Sequence, residues 1–298
     1  MADEKDTANA TTTASYAGHA AKPTLTQEEI DRMKAQDMRL VSDFQAMQIE
    51  KNAKKNWDLF YKRNDTRFFK DRHWTTREFA ELLGDDTTKE EQRSPRVFFE
   101  IGCGVGNLIY PLIEENVPFK KMFACDLSPR AIEFVKGHAL YNSEYIEAFQ
   151  ADVTESISDK VFHPVDIATL VFVLSAIHPL KFKQVIQNIF DVMNEEGVLL
   201  FRDYGRYDMA QMRFKPGCKI ADNLYVRQDG TRSYYFTTEE VQELFESVGF
   251  KTKSCSYVQR RTVNLKEKID VPRIFVQAKF VKPEKSSAPS QTKDSAEQ

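Results

Sequence analysis

The sequence predicts an α/β fold, a Rossmann-like sheet of seven strands with a helical extension on its N-terminal side. Three observations carry this reading. Strand-forming and helix-forming segments alternate from Arg96 onward, as parallel βαβ units require. The first of those strands runs straight into three glycines, Gly102, Gly104 and Gly106, and the next two each end on an acid, Asp126 and Asp152. Before Arg96 the apolar residues recur at helical rather than strand spacing.

Taken in order, residues 1–25 are Ala/Thr-rich and mixed in charge, which predicts a disordered tail rather than an Arg-rich organellar leader. Thr26 with Glu29 makes a capping box, and Ile30, Met33, Leu40, Val41, Phe44 and Met47 then predict one or two amphipathic helices reaching about Tyr61. Trp57, Phe60 and Tyr61 fall on one face at i, i+3 and i+4. Thr75 and Glu78 form a second capping box before a short helix, and the polar stretch Gly84 to Ser94 separates the region 26–94 from a sheet domain 95–282. Strands are expected at 96–101, 120–125, 146–150, 165–173 and 197–202, with helices near 107–115, 129–140 and 180–193. Ser128 and Pro129 open the second of these helices as cap and first-turn residues. Residues 204–235, punctuated by Gly205, Pro216, Gly217 and Gly230, read as an irregular insertion. Thr237 or Thr238 caps a helix that Gly249 stops as a C′ glycine, and strands 252–260 and 273–281 close the sheet as a hairpin. Residues 283–298 are disordered by composition.

The chemistry is concentrated where strands end. In VFFEIGCGVG, Val97 to Gly106, an apolar strand turns sharply into a helix, and glycine is needed because a side chain would keep a ligand off the backbone. The G-x-G-x-G spacing is shorter than the dinucleotide fingerprint and suits a nucleoside without phosphates. The string Glu100 to Gly106 resembles the S-adenosylmethionine (AdoMet) loop of class I methyltransferases, whose seven-stranded sheet also ends in a hairpin. An ordinary tight turn is the competing reading of a glycine triplet. Asp126, 20 residues past Gly106, stands where such a sheet grips ribose hydroxyls, and equally where a helix cap is needed. Asp152 is placed to meet an adenine amine or to serve as a surface loop acid, and Val171 to pack on the cofactor or in the core. Together the strand ends specify an adenosine site far better than any one of them.

Composition narrows the setting. Four scattered cysteines, with no C-x-x-C pair and no clustering of histidines, indicate neither a zinc site nor a disulfide framework and fit a reducing cytosol or nucleus. No apolar run approaches the ~20 residues of a membrane span. The net charge of −3 argues against nucleic acid, but its distribution does not. Lys51 to Arg77 holds nine Lys/Arg against three acids, Arg202 to Arg232 seven against four, and Lys251 to Arg273 seven against two. Such segregation is what a phosphate-binding surface on an acidic body requires, or three separate solvated faces.

The acceptor is read by elimination. No Pro-Cys nucleophile for cytosine C5 is present, and the fourth strand is followed by Leu174 to Pro179, LSAIHP, rather than the D/N-P-P-Y/F of amine methylation. A ring nitrogen needs neither device, because its in-plane lone pair attacks without loss of a proton. Asp203 is the best-placed acid to balance the resulting cation, unless it is merely salt-bridged to a neighbour, and Tyr204 is placed to stack on a base.

KNWDLFYKRNDTRFFKDRHWTTREF, EIGCGVGN, ACDLSPRAIEFVK, FVLSAIHP, LFRDYGRYDMAQMRFKPG and YVRQDGTRSYYFT resemble the eukaryotic tRNA 3-methylcytidine methyltransferases, most closely the branch acting on serine tRNAs, over roughly Thr26 to Lys282. The resemblance implies AdoMet contacts at Trp57, Tyr61, Gly102, Asp126, Asp152 and Val171, to which the glycine loop itself adds Gly104. It implies that the N-terminal region completes the site and touches tRNA and that seryl-tRNA synthetase assists; within the basic segment of that region, Lys55, Lys62, Arg63, Arg67, Lys70 and Arg72 are the expected phosphate contacts. The expected reaction is N3-methylation of cytidine 32, which opens the anticodon loop of serine tRNAs, with S-adenosylhomocysteine as product and RNA rather than DNA as substrate. A small-molecule methyltransferase, with no need of three basic segments, and a catalytically silent adaptor, with no need of an intact glycine loop and both acids, are the rivals.

Overall fold

The computed structural model describes residues 24–84, 96–264 and 269–285, so most of both expected tails and of the polar linker lies outside the described residues. β1 (Arg96–Ile101), β2 (Phe119–Asp126), β3 (Ile146–Gln150), β4 (Val165–Val171) and β5 (Met193–Tyr204) are parallel. β9 (Lys251–Asn264) and β10 (Ile269–Val281) form the closing hairpin, with β10 antiparallel to β5. The sheet order is β3-β2-β1-β4-β5-β10-β9. Parallel strands covered on both faces must be apolar nearly throughout, and β1 and β4 are buried along almost their whole length. α5 (Ile109–Glu114) and α6 (Pro129–Lys136) pack on one face through Ile109, Leu112, Ile132 and Val135. α7 (Phe182–Val192) and α9 (Thr238–Glu246) pack on the other through Val185, Ile189, Val241 and Phe245. The order reverses between β1 and β4, and a crevice opens there at the carboxyl ends of the strands.

The caps at Thr26, Ser128 and Thr237 form as the sequence predicts. The Thr75 and Glu78 capping box does not. Thr75 is buried and its hydroxyl donates to the Arg72 carbonyl at 2.7 Å, while Glu78 leaves the four-residue helix α4 (Thr75–Glu78) for Arg202 and Arg260. A guanidinium as enclosed as Arg202, 3% exposed, needs a counter-charge more than a short helix needs a cap. Gly249 takes the left-handed conformation (φ +118°), but lies two residues past the C-cap Ser247 rather than one.

The insertion is more regular than expected, holding α8 (Met209–Met212) and a three-stranded sheet of β6 (Lys219–Ala221), β7 (Leu224–Val226) and β8 (Arg232–Tyr234). Upstream, the chain forms α1 (Gln27–Asp37), α2 (Asp43–Lys51) and α3 (Ala53–Asn64). These helices are fastened to the insertion. The buried Gln36 side chain donates to the Gln211 and Phe214 carbonyls and accepts from the Tyr225 hydroxyl, and Val41 N–H donates to the Lys219 carbonyl. The apolar periodicity of the first helices does not mark a buried face throughout, since Phe44 and Met47 are exposed. No helix among the described residues is long and apolar enough to cross a membrane.

Candidate active site

The glycine loop leaves β1 with Gly102, Gly104 and Gly106 all at positive φ, where L side chains are strained. A Cβ on Gly102 would lie 2.3 Å from Val173 and one on Gly104 3.0 Å from the Tyr61 hydroxyl, so space as well as conformation demands glycine. Asp126, at the end of β2, accepts from Gly104 N–H at 3.0 Å and Ser128 N–H at 2.9 Å. It serves as both loop anchor and turn acid. Burial pushes its carboxyl up to about 6, although these backbone donors pull the other way. Neighbouring Glu100 is pushed to about 8 by burial and accepts from Ile109 N–H at 3.2 Å.

The sheet supplies only the floor of the crevice. Its roof is α3 and the segment after it, where Phe60 and Tyr61 pack on Val105 and Ala131 with Trp57, Phe68, Phe69 and Phe134 around them. Asp58 of α3 accepts from the Ser128 hydroxyl at 2.9 Å and Arg130 N–H at 3.3 Å. Arg72 N–H donates to the Asn107 carbonyl at 2.7 Å, and the Asn107 amide donates to Asp71 at 3.0 Å. The enclosed cleft measures about 310 Å³, within the range of small-molecule sites.

Trp57, Tyr61, Gly102, Gly104, Asp126 and Asp152 all line this cleft. Asp152 is solvent-exposed and accepts from Thr154 N–H and its hydroxyl at 3.0 and 2.8 Å, an Asx turn that fixes the carboxylate at the rim. A buried carboxylate beside bare glycine backbone, a second acid at the rim and an indole above them suit the ribose and adenine of AdoMet. Val171 packs instead in the sheet core, and its carbonyl accepts from Arg72 at 3.3 Å. The cleft is lined by the next two residues, because Phe172 turns the chain with a φ of +60°, strained for an aromatic residue.

Of the two residues predicted for catalysis, Tyr204 lines the cleft and Asp203 does not. Asp203 is fully buried behind it, accepting from Ser175 N–H at 2.9 Å and Tyr204 N–H at 2.8 Å, with burial pushing its carboxyl up to about 6. It is not paired with Arg202, which goes to Glu78. The Tyr204 and Phe172 rings stand 5.1 Å apart, with the Arg227 guanidinium 5.4 Å from Tyr204.

Lys55, Lys62, Arg63, Arg67 and Lys70 are exposed on the outer side of the roof, Arg67 beside Asp65 at 2.9 Å. Arg72 is not with them. It turns inward to line the cleft 5.7 Å from the Phe172 ring centre, and burial lowers its affinity for a proton. Several cations of the other two basic segments are taken up by ion pairs within the chain, Arg202 and Arg260 with Glu78, Arg273 with Asp208 and, at the surface, Lys219 with Asp37 and Asp222. The contributions of Arg72, Asn107, Phe172, Ser175 and Arg227 escaped the sequence reading, although Asn107 closes the EIGCGVGN string. Among the described residues no group of three or more His, Cys, Asp or Glu is placed to hold a metal ion.

Residues 71–254 match the family model described as a methyltransferase domain. The chain is 50% identical over 269 residues to the Homo sapiens tRNA N(3)-cytidine methyltransferase METTL6, covering 89% of this chain and 92% of that protein. It is 42% identical over 247 residues to the tRNA N(3)-methylcytidine methyltransferase trm141 of Schizosaccharomyces pombe, covering 81% and 97%. Among solved structures, a SAM-dependent methyltransferase from Anabaena variabilis aligns with a TM-score of 0.53 at 13% identity, over 78% of this chain and 95% of that one, a likeness of fold.

Proposed function

The chain belongs to the tRNA N(3)-cytidine methyltransferases, and from that premise we propose that it methylates N3 of cytidine 32, at the start of the anticodon loop of serine tRNAs. The observation that carries the reading is the division of the cleft. One half, with the glycine loop, Asp126 and Asp152, is built for a nucleoside; the other, with Arg72, Phe172, Tyr204 and Arg227, offers ring faces and cations. AdoMet, held in the first half, supplies an electrophilic methyl group on a sulfonium.

Phe172 and Tyr204, already in contact with each other, offer adjacent ring faces for the flipped base to lie against, and Arg72 offers guanidinium N–H groups to the cytosine O2 beside the reacting nitrogen. Cytosine N3 attacks through a lone pair that carries no proton, so no general base is required; alignment does most of the work. The base becomes cationic as it is methylated, and aromatic faces stabilise a desolvated cation by ~2 kcal/mol. Asp203 acts as a positioning residue. Its carboxylate fixes the backbone of Ser175 and Tyr204 and places a negative charge behind the Tyr204 ring. The exposed cations of the roof hold the RNA backbone, and seryl-tRNA synthetase is the protein partner.

The test is mass spectrometry of nucleosides from purified serine, threonine and arginine tRNAs after incubation with protein and AdoMet, with and without the synthetase. The expected product is 3-methylcytidine, confined to position 32 of serine tRNA and increased by the synthetase. No 3-methylcytidine in any tRNA overturns the reaction; equal yield in threonine or arginine tRNA overturns the serine assignment, and no response to the synthetase overturns the partner.

A further inference from the structure

The mouth of the cleft carries an ion-pair cluster that methyl transfer does not use. Glu50, on α2, bridges two cations from distant parts of the chain, Lys181 just before α7, at 2.7 Å, and Arg232 on β8. The Arg232 side chain is only 7% exposed. Burial works to raise the Glu50 carboxyl, but Lys181 and Arg232 outweigh it and hold it below its ordinary range. All three residues line the cleft. Glu50, Lys51 and Arg232 also line a second cavity, of about 420 Å³, bounded by Met47 of α2 and by His178 and Ile220. The cluster therefore stands at the junction of an inner cleft and an outer groove.

An RNA whose base enters the cleft must lead its backbone through that junction, because the target nucleotide and its neighbours are joined by phosphates. A planar guanidinium and a flexible ammonium converging on one point form the donor set that binds a phosphate. Arg232 is too enclosed to stand without an anion, so the free protein must provide one. A carboxylate with one oxygen on each cation occupies the position a phosphate would take.

We propose that Lys181 and Arg232 form a binding site for a backbone phosphate flanking the target base, and that Glu50 fills this site until RNA displaces it. The inference rests on the RNA-substrate reading above. One anion replaces another, so Arg232 is never left unpaired. A mononucleotide has to compete with a carboxylate tethered at high effective concentration, whereas a polynucleotide gains from its other contacts. The site thereby favours long RNA over free nucleotides.

The experiment measures the affinity of a transcribed serine tRNA by fluorescence anisotropy at several salt concentrations for the full chain, Glu50→Gln, Lys181→Gln and the double variant. Glu50→Gln should tighten binding about threefold to tenfold by removing the competitor. Lys181→Gln should weaken binding, lower the slope of log K against log salt by about one, and cost more in the Glu50→Gln background. Cytidine monophosphate, measured alone, should likewise bind Glu50→Gln more tightly than the wild type, since it loses the same competitor. Weaker or unchanged tRNA binding by a Glu50→Gln protein with a native circular dichroism spectrum overturns the proposal. If that variant does not fold, Lys181→Gln decides, since the Lys181 side chain is 46% exposed; unaltered affinity and salt slope overturn the proposal. Failure of the wild type to bind tRNA brings down the RNA reading with it, whereas tRNA binding that neither substitution alters removes the phosphate site alone.

Discussion

Cofactor affinity should depend on pH through one carboxylate. The Asp126 carboxyl is lifted from 3.8 to about 6 by burial, so in the free enzyme it takes up a proton as the pH falls through that value. Ribose hydroxyls donating to it stabilise the ionised form and bring its pKa back toward the ordinary one. Binding therefore favours the charged state, and affinity should fall about tenfold for each pH unit below ~6, each step worth about 1.4 kcal/mol. The full span from about 6 to 3.8 corresponds to about 3 kcal/mol, of which the accessible window from pH 7.5 to 5 should reveal about 1.4 kcal/mol. Glu100 adds no slope, since a carboxyl pushed to about 8 stays protonated through most of the window and at pH 6 and below. Isothermal titration calorimetry with S-adenosylhomocysteine gives the affinity, and repetition in buffers of different ionisation enthalpy should show proton release near pH 6. Asp126→Asn should bind at least tenfold more weakly at pH 7.5, having lost a charged acceptor, and its affinity should be flat in pH. A wild-type affinity that is flat between pH 5 and 7.5, or an equal slope in Asp126→Asn, would refute the placement of the ribose on Asp126.

Gly104→Ala combines a φ of +55° with a Cβ 3.0 Å from the Tyr61 hydroxyl, and should cost roughly 1–2 kcal/mol in the backbone alone. Thermal unfolding should show the loss, and adding Tyr61→Phe should recover part of it, whereas strict additivity would mean that roof and loop do not touch. Arg72→Gln should lower kcat for tRNA methylation at least tenfold while leaving the salt slope of tRNA binding unchanged; joint replacement of Lys62 and Arg63 should do the reverse. A flattened slope in Arg72→Gln would return that residue to the phosphate surface. Glu78→Gln strips the partner from Arg202 and Arg260 and should destabilise the fold by about 3–5 kcal/mol in urea unfolding; a loss under ~1 kcal/mol would show those cations to be adequately solvated.

The sheet and the half of the cleft lined by the glycine loop, Asp126 and Asp152 were legible because their signals are local. A buried parallel strand is an unbroken apolar run, and the glycines and acids that follow β1, β2 and β3 sit at fixed chain distances from strand ends. Charge partners are not local. Nothing near Glu78 in the sequence points to Arg202, 124 residues away, or to Arg260, 182 residues away. Two basic segments therefore read as surface although Arg202, Arg232, Arg260 and Arg273 are spent on pairs within the chain. The insertion failed for a different reason, since strands of three residues separated by Asn223 and Gly230 turns are too short to show a period of two. Direction was the remaining loss. Arg72 lies in a run of cations and Val171 at a strand end, but which one faces the cleft is decided by the left-handed turn at Phe172 and by the Asn107 clamp.

The roof is the part of the enzyme that the proposed cofactor site and the proposed RNA surface share. Residues 53–72 join no strand of the main sheet, so their order comes from the aromatic cluster and from a few hydrogen bonds. Those bonds do not land at random. Asp58 holds Ser128 and Arg130, two and four residues past Asp126, the proposed ribose ligand, and Arg72 and Asp71 hold Asn107, directly after the last glycine of the loop. The segments proposed to hold the nucleoside are thus the ones that fix the roof, and the roof's outer side carries Lys55, Lys62, Arg63 and Lys70. A ligand that stiffens the glycine loop and the Asp126 turn must also restrict the segment presenting those cations. Coupling between cofactor and RNA then follows from shared hydrogen bonds, with no long-range pathway required.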